Sequence, residues 1–265
     1  MLTRIATFIT RPLCSERFQP LLEKALRFLL RLMNVGSGGV DSQSGELAAI
    51  KYVHRRLSDI PEPVIFDVGA NVGTYAEMVR KVFGKSAQIH SFEPSRKTFG
   101  KLSQCVAGRE VLLHQFALGD RDSRATLFTN SDESALASVY QRRLDHFDIS
   151  LAKTEEIEIR TIDSFCRESG VSHVHFLKLD VEGHEKKALD GAAGMLESGA
   201  IDFIQFEFGG TSIDSRTYFQ DFYYLLHDRF TIYRILRNGL YPIRKYQEIY
   251  EVFVTTNYLA ERKAR

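Results

Sequence analysis

The first residues that could support chemistry form a glycine-containing loop after a short apolar segment. Asp67 lies near the end of the apolar segment 64–68, and Gly69 and Gly73 follow it. Glycine allows a tight turn and lets a ligand approach the backbone closely. A helix that begins near Gly73 would also direct its free N–H groups toward such a ligand. Since ligands of open α/β sheets bind at the carboxyl ends of the strands, the loop predicts a nucleotide-type site.

The type of nucleotide follows from three side chains around this loop. Asn71 stands where the dinucleotide fingerprint G-x-G-x-x-G has its second glycine, which counts against a pyrophosphate on the backbone. Asp67 would repel a diphosphate and attract an α-ammonium group. Glu93 ends the second apolar segment, where a carboxylate holds ribose hydroxyls. An isolated glycine pair would indicate only a turn, but the combination predicts S-adenosylmethionine, an ammonium-bearing nucleoside without phosphate.

A second group of ionisable residues follows the apolar segment 176–180. Asp180 ends the segment, Glu182 lies in the next loop, and Lys178 lies two positions before Asp180 on the same face. Such a group could orient an acceptor, take up a proton or hold a divalent metal. Alternatively, Glu182 and Glu185 could cap a helix, and Lys178 could form a purely structural ion pair.

A third carboxylate, Glu207, ends the apolar segment 201–207. If this strand neighbours the one that ends at Asp180, two carboxylates lie side by side. They would then be candidates for a metal site or a general base. A lone Glu at this position would more often bind a neighbouring loop through a hydrogen bond.

The elements that must position these residues alternate along the chain. From residue 64, short apolar segments alternate with segments of helical periodicity, which predicts a mostly parallel sheet covered by helices on both faces. Further strands are expected at 124–129 and 156–162. Segments 230–237 and 249–255 also have strand character, but their connection is too short for a parallel crossover. We therefore expect one of these two strands to run antiparallel.

Composition narrows the class of protein. The chain has 265 residues, with 35 Lys and Arg against 34 Asp and Glu, a formal net charge of +1. This balance argues against a nucleic-acid-binding protein, and no apolar run is long enough to cross a bilayer. Charged residues interrupt the amino-terminal segment, which lacks a signal-peptide pattern. Cys14, Cys105 and Cys166 are far apart, which favours a reducing compartment, so we predict a cytoplasmic protein.

The amino-terminal part differs from the rest of the chain. A helical segment at 20–33 is followed by a connection rich in Gly and Ser at 34–45, and residues 1–36 carry six basic and two acidic residues. A basic amphipathic helix could lie on a membrane surface. Its wide apolar face favours docking on the core or on a second subunit in a homodimer. Just after the connection, Glu46 could close over the ligand, although a helix cap by Ser44 is the favoured interpretation.

Several segments together resemble the FkbM family of S-adenosylmethionine-dependent methyltransferases. They extend from about residue 60 to 257 and are Asp67-Val68-Gly69-Ala70-Asn71-Val72-Gly73, Phe92-Glu93-Pro94-Ser95, Ala117-Leu118-Gly119-Asp120, Thr161-Ile162-Asp163-Ser164-Phe165, Lys178-Leu179-Asp180-Val181-Glu182-Gly183 and Glu207. The resemblance implies a class I, Rossmann-like α/β fold with a seven-stranded, mostly parallel sheet and one antiparallel strand. It also implies O-methylation of a hydroxyl on a sugar, polyketide or other small natural product, with a glycan as one kind of acceptor.

Transferred position by position, the resemblance assigns a role to each candidate residue. The residues implied to hold the cofactor, from the methionine end through the ribose to the adenine, are Asp67, Gly69, Asn71, Gly73, Glu93, Ala117 and Leu118. The catalytic residues implied to face the acceptor are Asp180, Glu182 and Lys178. The candidates for ligands of a divalent metal are Asp180 and Glu207.

The resemblance also divides the chain into a helical extension, 1–60, and a methyltransferase domain, 61–265. Two alternative functions remain beside methyl transfer. One is a cofactor-binding module without catalysis, which the carboxylates of the second and third groups oppose. The other is an NAD-dependent oxidoreductase, which Asp67 and Asn71 oppose. Within segment 130–155, the residues that could contact a sugar-like acceptor or form an ordinary surface are Tyr140, Arg142, Arg143 and His146.

Overall fold

The computed structural model describes residues 14–37, 44–130 and 135–264. Within these ranges the strands are β1 (Val64–Val68), β2 (Gln88–Phe92), β3 (Val111–His114), β4 (Ala117–Leu118), β5 (Ser123–Thr129), β6 (Lys153–Arg160), β7 (Val174–Leu179), β8 (Ile201–Phe208), β9 (Phe230–Leu236), β10 (Gly239–Ile243) and β11 (Thr256–Arg262). The α-helices are α1 (Gln19–Leu32), α2 (Glu46–Arg56), α3 (Thr74–Phe83), α4 (Arg96–Cys105), α5 (Ile162–Ser169), α6 (Glu185–Asp190), α7 (Ala193–Ser198), α8 (Thr211–Ser215) and α9 (Phe219–Leu226). Short 3₁₀ helices occur at Glu16–Phe18, Gly84–Ser86, Asp145–Phe147 and Glu248–Tyr250.

The larger sheet has the strand order β10-β9-β11-β8-β7-β1-β2-β3. Strands β3, β2, β1, β7 and β8 are parallel, and β11 runs antiparallel between β8 and β9. The expected α/β fold with a mostly parallel sheet is confirmed. The antiparallel hairpin of β9 and β10 adds an eighth strand, and a second antiparallel one, to the seven that the resemblance implied.

The expected strand at 249–255 was wrong in position. Glu248–Tyr250 is a 3₁₀ helix, and the antiparallel strand is Thr256–Arg262. The apolar residues that suggested a strand instead cover the end of the core. The ring centroid of Phe253, for example, lies 5.2 Å from that of Phe208. Their apolar character thus reflects packing of a connecting segment against the sheet.

A smaller sheet has the order β4-β6-β5. Strand β6 pairs with β5 in antiparallel register and with β4 in parallel register. The expected strands at 124–129 and 156–162 correspond to β5 and β6, with β6 beginning three residues earlier. Leu127, Ile157 and Ile159 form the buried face of this sheet.

Two apolar clusters cover the faces of the larger sheet. Helices α2 and α3 pack on one face, where Ile65 and Phe176 meet Ile50 and Val79. Helices α5, α6, α7 and α9 pack on the other, where the cluster includes Phe66 and Leu177. Adjacent residues of the central strands therefore face opposite cores, which explains why those strands are nearly continuous apolar runs.

The amino-terminal part joins this core at α2 rather than at α1. Helix α1 contributes no buried residue, whereas Ala49, Ile50 and Val53 of α2 are fully buried. The predicted division at residue 60 stays a prediction. Parts of the predicted extension, connection and acceptor segment lie outside the described residues, at 1–13, 38–43 and 131–134. Of the helices that the structure describes, none combines the length and apolar character needed to cross a bilayer.

Candidate active site

A cavity of about 270 Å³ lies at the carboxyl ends of β1, β2, β7 and β8. The predicted residues that line it are Gly69, Asn71, Glu93, Ala117, Leu118, Asp180, Glu182 and Glu207. The predicted residues outside its lining are Asp67, Gly73 and Lys178. The structure thus brings most of the candidates to one place and sets three of them behind the wall.

The loop after β1 is pressed against the loop after β7. Gly69 has a φ of 77°, and a Cβ atom built there would lie 1.8 Å from the backbone oxygen of Asp180. Only glycine permits both this backbone conformation and this contact. Gly73, with a φ of 95°, serves a different purpose, because a Cβ there would lie 2.9 Å from Leu102 of α4. Its small size allows α4 to pack behind the loop.

Glu93 joins the ends of β1 and β2. Its carboxylate accepts hydrogen bonds from the backbone N–H groups of Asn71, at 3.1 Å, and Ser95, at 2.9 Å. Burial raises the pKa of Glu93 to about 7, although these two hydrogen bonds act in the opposite direction. Each carboxylate oxygen can accept a further hydrogen bond. Contact between Glu93 and a ribose stays a prediction.

The opposite part of the cavity has an apolar wall. Ala117 and Leu118, which the resemblance assigned to the adenine, belong to it. The other apolar side chains of this wall are Phe92, Phe116, Leu127 and Ile157. The aromatic rings of Phe92 and Phe116 lie 5.6 Å apart, centroid to centroid. A flat heteroaromatic ring fits such surroundings, because it would bury apolar area there.

Lys178 lies behind the wall and links the first two groups of residues. Its Nζ lies 3.2 Å from Asp180 Oδ2 and 3.6 Å from Asp67 Oδ1. Burial alone would lower the pKa of Lys178, but the carboxylates of Asp180, Asp67 and Glu46 outweigh it and raise that pKa. Asp67 is fully buried, and neither of its oxygens has a hydrogen-bond partner among the described residues. Burial raises its pKa, and the nearby ammonium opposes that shift. Asp67 does not line the cavity. It is linked to the cavity through Lys178, which lies between it and Asp180.

Acidic side chains form the wall beside Asp180. Burial, with further repulsion from Asp180, raises the pKa of Glu182 to about 8 and raises that of Glu207 well above its ordinary value. Arg142, one of the residues predicted to contact an acceptor or to lie on the surface, donates from Nη1 to Glu182 Oε2 at 2.6 Å. Its side chain is only 8% exposed. A cation bound in the cavity would favour the charged forms of these carboxyl groups and would therefore lower their pKa values.

Glu185 has the structural role that the sequence left open. Its carboxylate accepts hydrogen bonds from the N–H groups of Val181 and Gly183, at 2.9 and 3.2 Å. It therefore fixes the loop that carries Glu182 rather than lining the cavity.

Several residues of the cavity wall were missed or given less weight by the sequence. Glu46 lines the cavity, and its Oε1 accepts a hydrogen bond from Gln205 Nε2 at 3.0 Å. Ser44 Oγ accepts from the N–H of Glu46, but the N-cap of α2 is Gly45, without a side-chain cap hydrogen bond. Closure of Glu46 over a ligand stays a prediction. His184 lines the cavity as well, with its Nδ1 3.1 Å from Tyr140 Oη. Burial lowers the pKa of His184 to about 4, which keeps the ring neutral at pH 7.

Within the ranges that the structure describes, the group with metal-binding geometry does not include Asp180 and Glu207, the predicted metal ligands. Among the described residues, ligand atoms within 4.8 Å of one another occur in one group of three, His173, His175 and Asp202. This group lies at the amino-terminal ends of β7 and β8, away from the cavity. The N–H of Val64 donates to His175 Nδ1 at 2.9 Å, so His175 Nε2 carries the proton and has no lone pair for a metal. Metal binding by Asp180 and Glu207 stays a prediction.

The donor set fits S-adenosylmethionine. The apolar wall would receive the adenine, Glu93 lies between it and the β1 loop, and the carboxylates of Asp180 and Glu207 would face the cationic end. A pyrophosphate would meet those same acidic side chains and would oppose their ionisation, whereas a cation favours it. The geometry therefore favours a cationic nucleoside over a dinucleotide.

Comparison with known proteins agrees with this geometry. The sequence profile of the methyltransferase FkbM domain matches residues 67–232. The 2-O-methyltransferase NoeI of Sinorhizobium fredii is 26% identical over 152 residues, which are 52% of this chain and 62% of that protein. The hexuronic acid methyltransferase AglP of Haloferax volcanii is 24% identical over 143 residues, which are 54% of each chain. The chain thus spans less than two thirds of the length of either relative.

A solved structure also resembles the chain over most of its length. The O-methyltransferase from Bacillus cereus, crystallised in complex with SAH, aligns with a TM-score of 0.43 and 10% identity. The alignment covers 98% of this chain and 97% of that one.

Proposed function

Because the chain belongs to the methyltransferase FkbM domain family, we propose that it transfers a methyl group from S-adenosylmethionine to a hydroxyl of a sugar or sugar acid. The observation that carries the proposal is the cavity in which Glu93, Asp180 and Glu207 lie beside an apolar wall. The names of the two curated relatives, a 2-O-methyltransferase and a hexuronic acid methyltransferase, favour a carbohydrate acceptor.

The cofactor would be held by groups that differ along the cavity. Ala117 and Leu118 flank the adenine, and Glu93 accepts from the ribose hydroxyls. The methionine end lies beside the loop of Gly69 and Asn71. When bound, the cofactor supplies a carbon already activated by a sulfonium, so the protein has mainly to align the acceptor oxygen with that carbon.

Asp180 is the proposed acceptor of the hydroxyl proton. Its side chain is 39% exposed and lines the cavity, so an acceptor can reach it. Lys178 Nζ, 3.2 Å from Asp180 Oδ2, holds the carboxylate in position. Glu182, paired with Arg142, lines the neighbouring part of the cavity, where it would limit the orientations open to a sugar.

The proposal is tested with Asp180→Asn, which removes the base and keeps the size of the side chain. Turnover with sugar or hexuronic acid acceptors should fall at least about a hundredfold, the usual contribution of a general base. Calorimetry should still detect binding of S-adenosylmethionine, because the other cofactor residues are unchanged.

The matched control is Asp190→Asn, whose side chain is 36% exposed and lies at the end of α6. It should leave turnover unchanged. Equal turnover in the Asp180→Asn variant and the wild-type protein would remove Asp180 from the catalytic role. Binding of S-adenosylmethionine without turnover on any acceptor would instead favour a cofactor-binding module.

A further inference from the structure

Helix α1 presents a broad apolar face that the described part of the chain leaves exposed. Leu21, Phe28 and Leu32 are each more than 60% exposed, and Leu26 and Leu29 are more than 50% exposed. At 100° per residue these side chains share one side of the helix. An exposed apolar face of this kind marks a surface that binds something else.

The opposite side of α1 carries a strongly one-sided charge. Lys24, Arg27 and Arg31 are exposed and lie together, whereas Glu23 is the one acidic residue of the helix. The thirteen residues before the described part add Arg4 and Arg11 and no acidic residue. A basic side facing away from an apolar side is the pattern of a helix that lies in the plane of a lipid surface.

A second basic feature adjoins this helix. The groove between α2 and the β9–β10 hairpin has a volume of about 770 Å³, and its charged lining residues, Lys51, Arg55 and Arg237, are all basic. We call it the basic groove. It reaches Gly45, and Asn34, just after α1, donates from Nδ2 to the backbone oxygen of Ser44 at 3.2 Å. Helix α1 and the basic groove thus meet at this junction.

The junction lies at the edge of the sheet that also carries the cavity. Asn34 Nδ2 donates to the backbone oxygen of Ile235, near the carboxyl end of β9, at 3.0 Å. Gly36 lies beside Thr256, which pairs with Phe208 at the carboxyl end of β8. The cavity opens at the carboxyl ends of β7 and β8, so α1 extends from the active-site edge.

We propose that α1 and the basic groove bind an anionic lipid surface and hold the active-site edge against it. Charge decides between this occupant and a second copy of the chain. Pairing two copies through the apolar faces of α1 would leave Lys24, Arg27 and Arg31 of both copies turned to solvent, so their charge would take no part in the contact. An anionic lipid headgroup layer attracts each of these groups, while the apolar face enters the interface.

The test is co-sedimentation of the full chain with vesicles. Vesicles of phosphatidylglycerol and phosphatidylcholine should sediment the protein, whereas vesicles of phosphatidylcholine alone should do so at least tenfold less well. Raising the salt concentration should release the protein. Two variants test the two sides of α1 separately. The first, Phe28→Glu with Leu32→Glu, changes the apolar face. The second, Lys24→Glu with Arg27→Glu and Arg31→Glu, changes the basic side. Each should weaken binding more than tenfold.

Ile249→Glu is the matched control, because Ile249 is 74% exposed and lies outside α1 and the basic groove. It should bind like the wild-type protein. Thermal melting of every variant would establish that each is folded, since α1 buries no residue. The proposal is overturned if the wild-type protein stays in solution or if both α1 variants bind like the control. It is also overturned if sedimentation velocity finds a dimer that the apolar variant dissociates.

Discussion

Glu93 is a buried carboxyl group whose ionisation affects the stability of the fold. Because burial raises its pKa to about 7 from about 4.5, the folded state binds its proton more tightly than the unfolded state does. Its contribution to stability is therefore fully present below about pH 4.5 and is lost as the pH rises through 7.

Glu93→Gln keeps the shape of the protonated side chain and removes its titration. Between pH 5 and 8 the free energy of unfolding should fall less in this variant than in the wild-type protein, by up to roughly 3 kcal/mol at 1.36 kcal/mol per pKa unit. Urea denaturation at each pH measures the difference. Glu197→Gln, at an exposed position of α7, should reproduce the wild-type dependence. Parallel curves for the wild-type protein and Glu93→Gln would contradict the expectation.

The location of a functional side chain was predictable where the residue lies at the end of an apolar strand. Asp180, Glu93 and Glu207 directly follow or end apolar runs, so their place at one edge of the sheet follows from parallel pairing. The sequence did not predict whether a side chain lines the cavity or lies behind its lining. For Lys178 the sequence left two roles open, an acceptor contact or a structural ion pair, and its ammonium is buried between Asp67 and Asp180. That position depends on three-dimensional packing of neighbouring strands, which spacing along the chain does not encode.

At the scale of elements, the contact between the β1 and β7 loops depends on the absence of a side chain at one position. Gly69→Ala would combine a left-handed backbone with a Cβ placed against the backbone oxygen of Asp180. The left-handed conformation alone costs about 1–2 kcal/mol, and the contact adds to it because a strand end cannot move aside easily. Urea denaturation should find a loss of stability above 2 kcal/mol.

Gly108→Ala separates the two causes. Gly108 has a φ of 74°, close to that of Gly69, but a Cβ there would meet nothing within 4 Å. This variant should lose about 1–2 kcal/mol, the cost of the left-handed backbone conformation alone. Equal losses of stability in the two variants would mean that the contact between the β1 and β7 loops tolerates a Cβ atom at position 69.

Elements with regular periodicity were predicted well, and those at the edges of the fold less well. Helix α3, which was expected to begin near Gly73, and the central strands β1, β7 and β8 occur where the pattern placed them, because each buries apolar side chains. Strand β10 was not expected, since Leu240 is half-buried and Tyr241 is exposed, so the apolar alternation is weak. The shift of the last strand from 249–255 to Thr256–Arg262 has a related cause, as an apolar connecting segment resembles a strand in sequence.

At the scale of the whole molecule, the predicted boundary at residue 60 and the packing of α2 lead to different expectations. Ile50 and Val53 are fully buried, and Tyr52 donates to Glu261 Oε2 of β11 at 2.7 Å. A chain without residues 1–60 should therefore lose several kcal/mol, at roughly 1.5–3 kcal/mol for each fully buried aliphatic side chain. A chain without residues 1–33 should melt within a few degrees of the full chain, because α1 buries nothing.

Thermal melting of the two shortened chains beside the full chain measures both effects. If both shortened chains melt like the full one, α2 does not support the core. If the chain without residues 1–33 is strongly destabilised, α1 has a structural role that its exposure does not reveal.

The lining of the cavity draws on residues from Glu46 to Glu207, and this has a consequence for how the protein folds. The contacts that build the cavity are far apart in sequence, so forming them requires the loops between them to close, at a cost in entropy. No isolated segment of the chain can present the complete set of groups to a ligand. A bound ligand consequently stabilises the native state as a unit, by about 2.7 kcal/mol at a hundredfold excess over its dissociation constant.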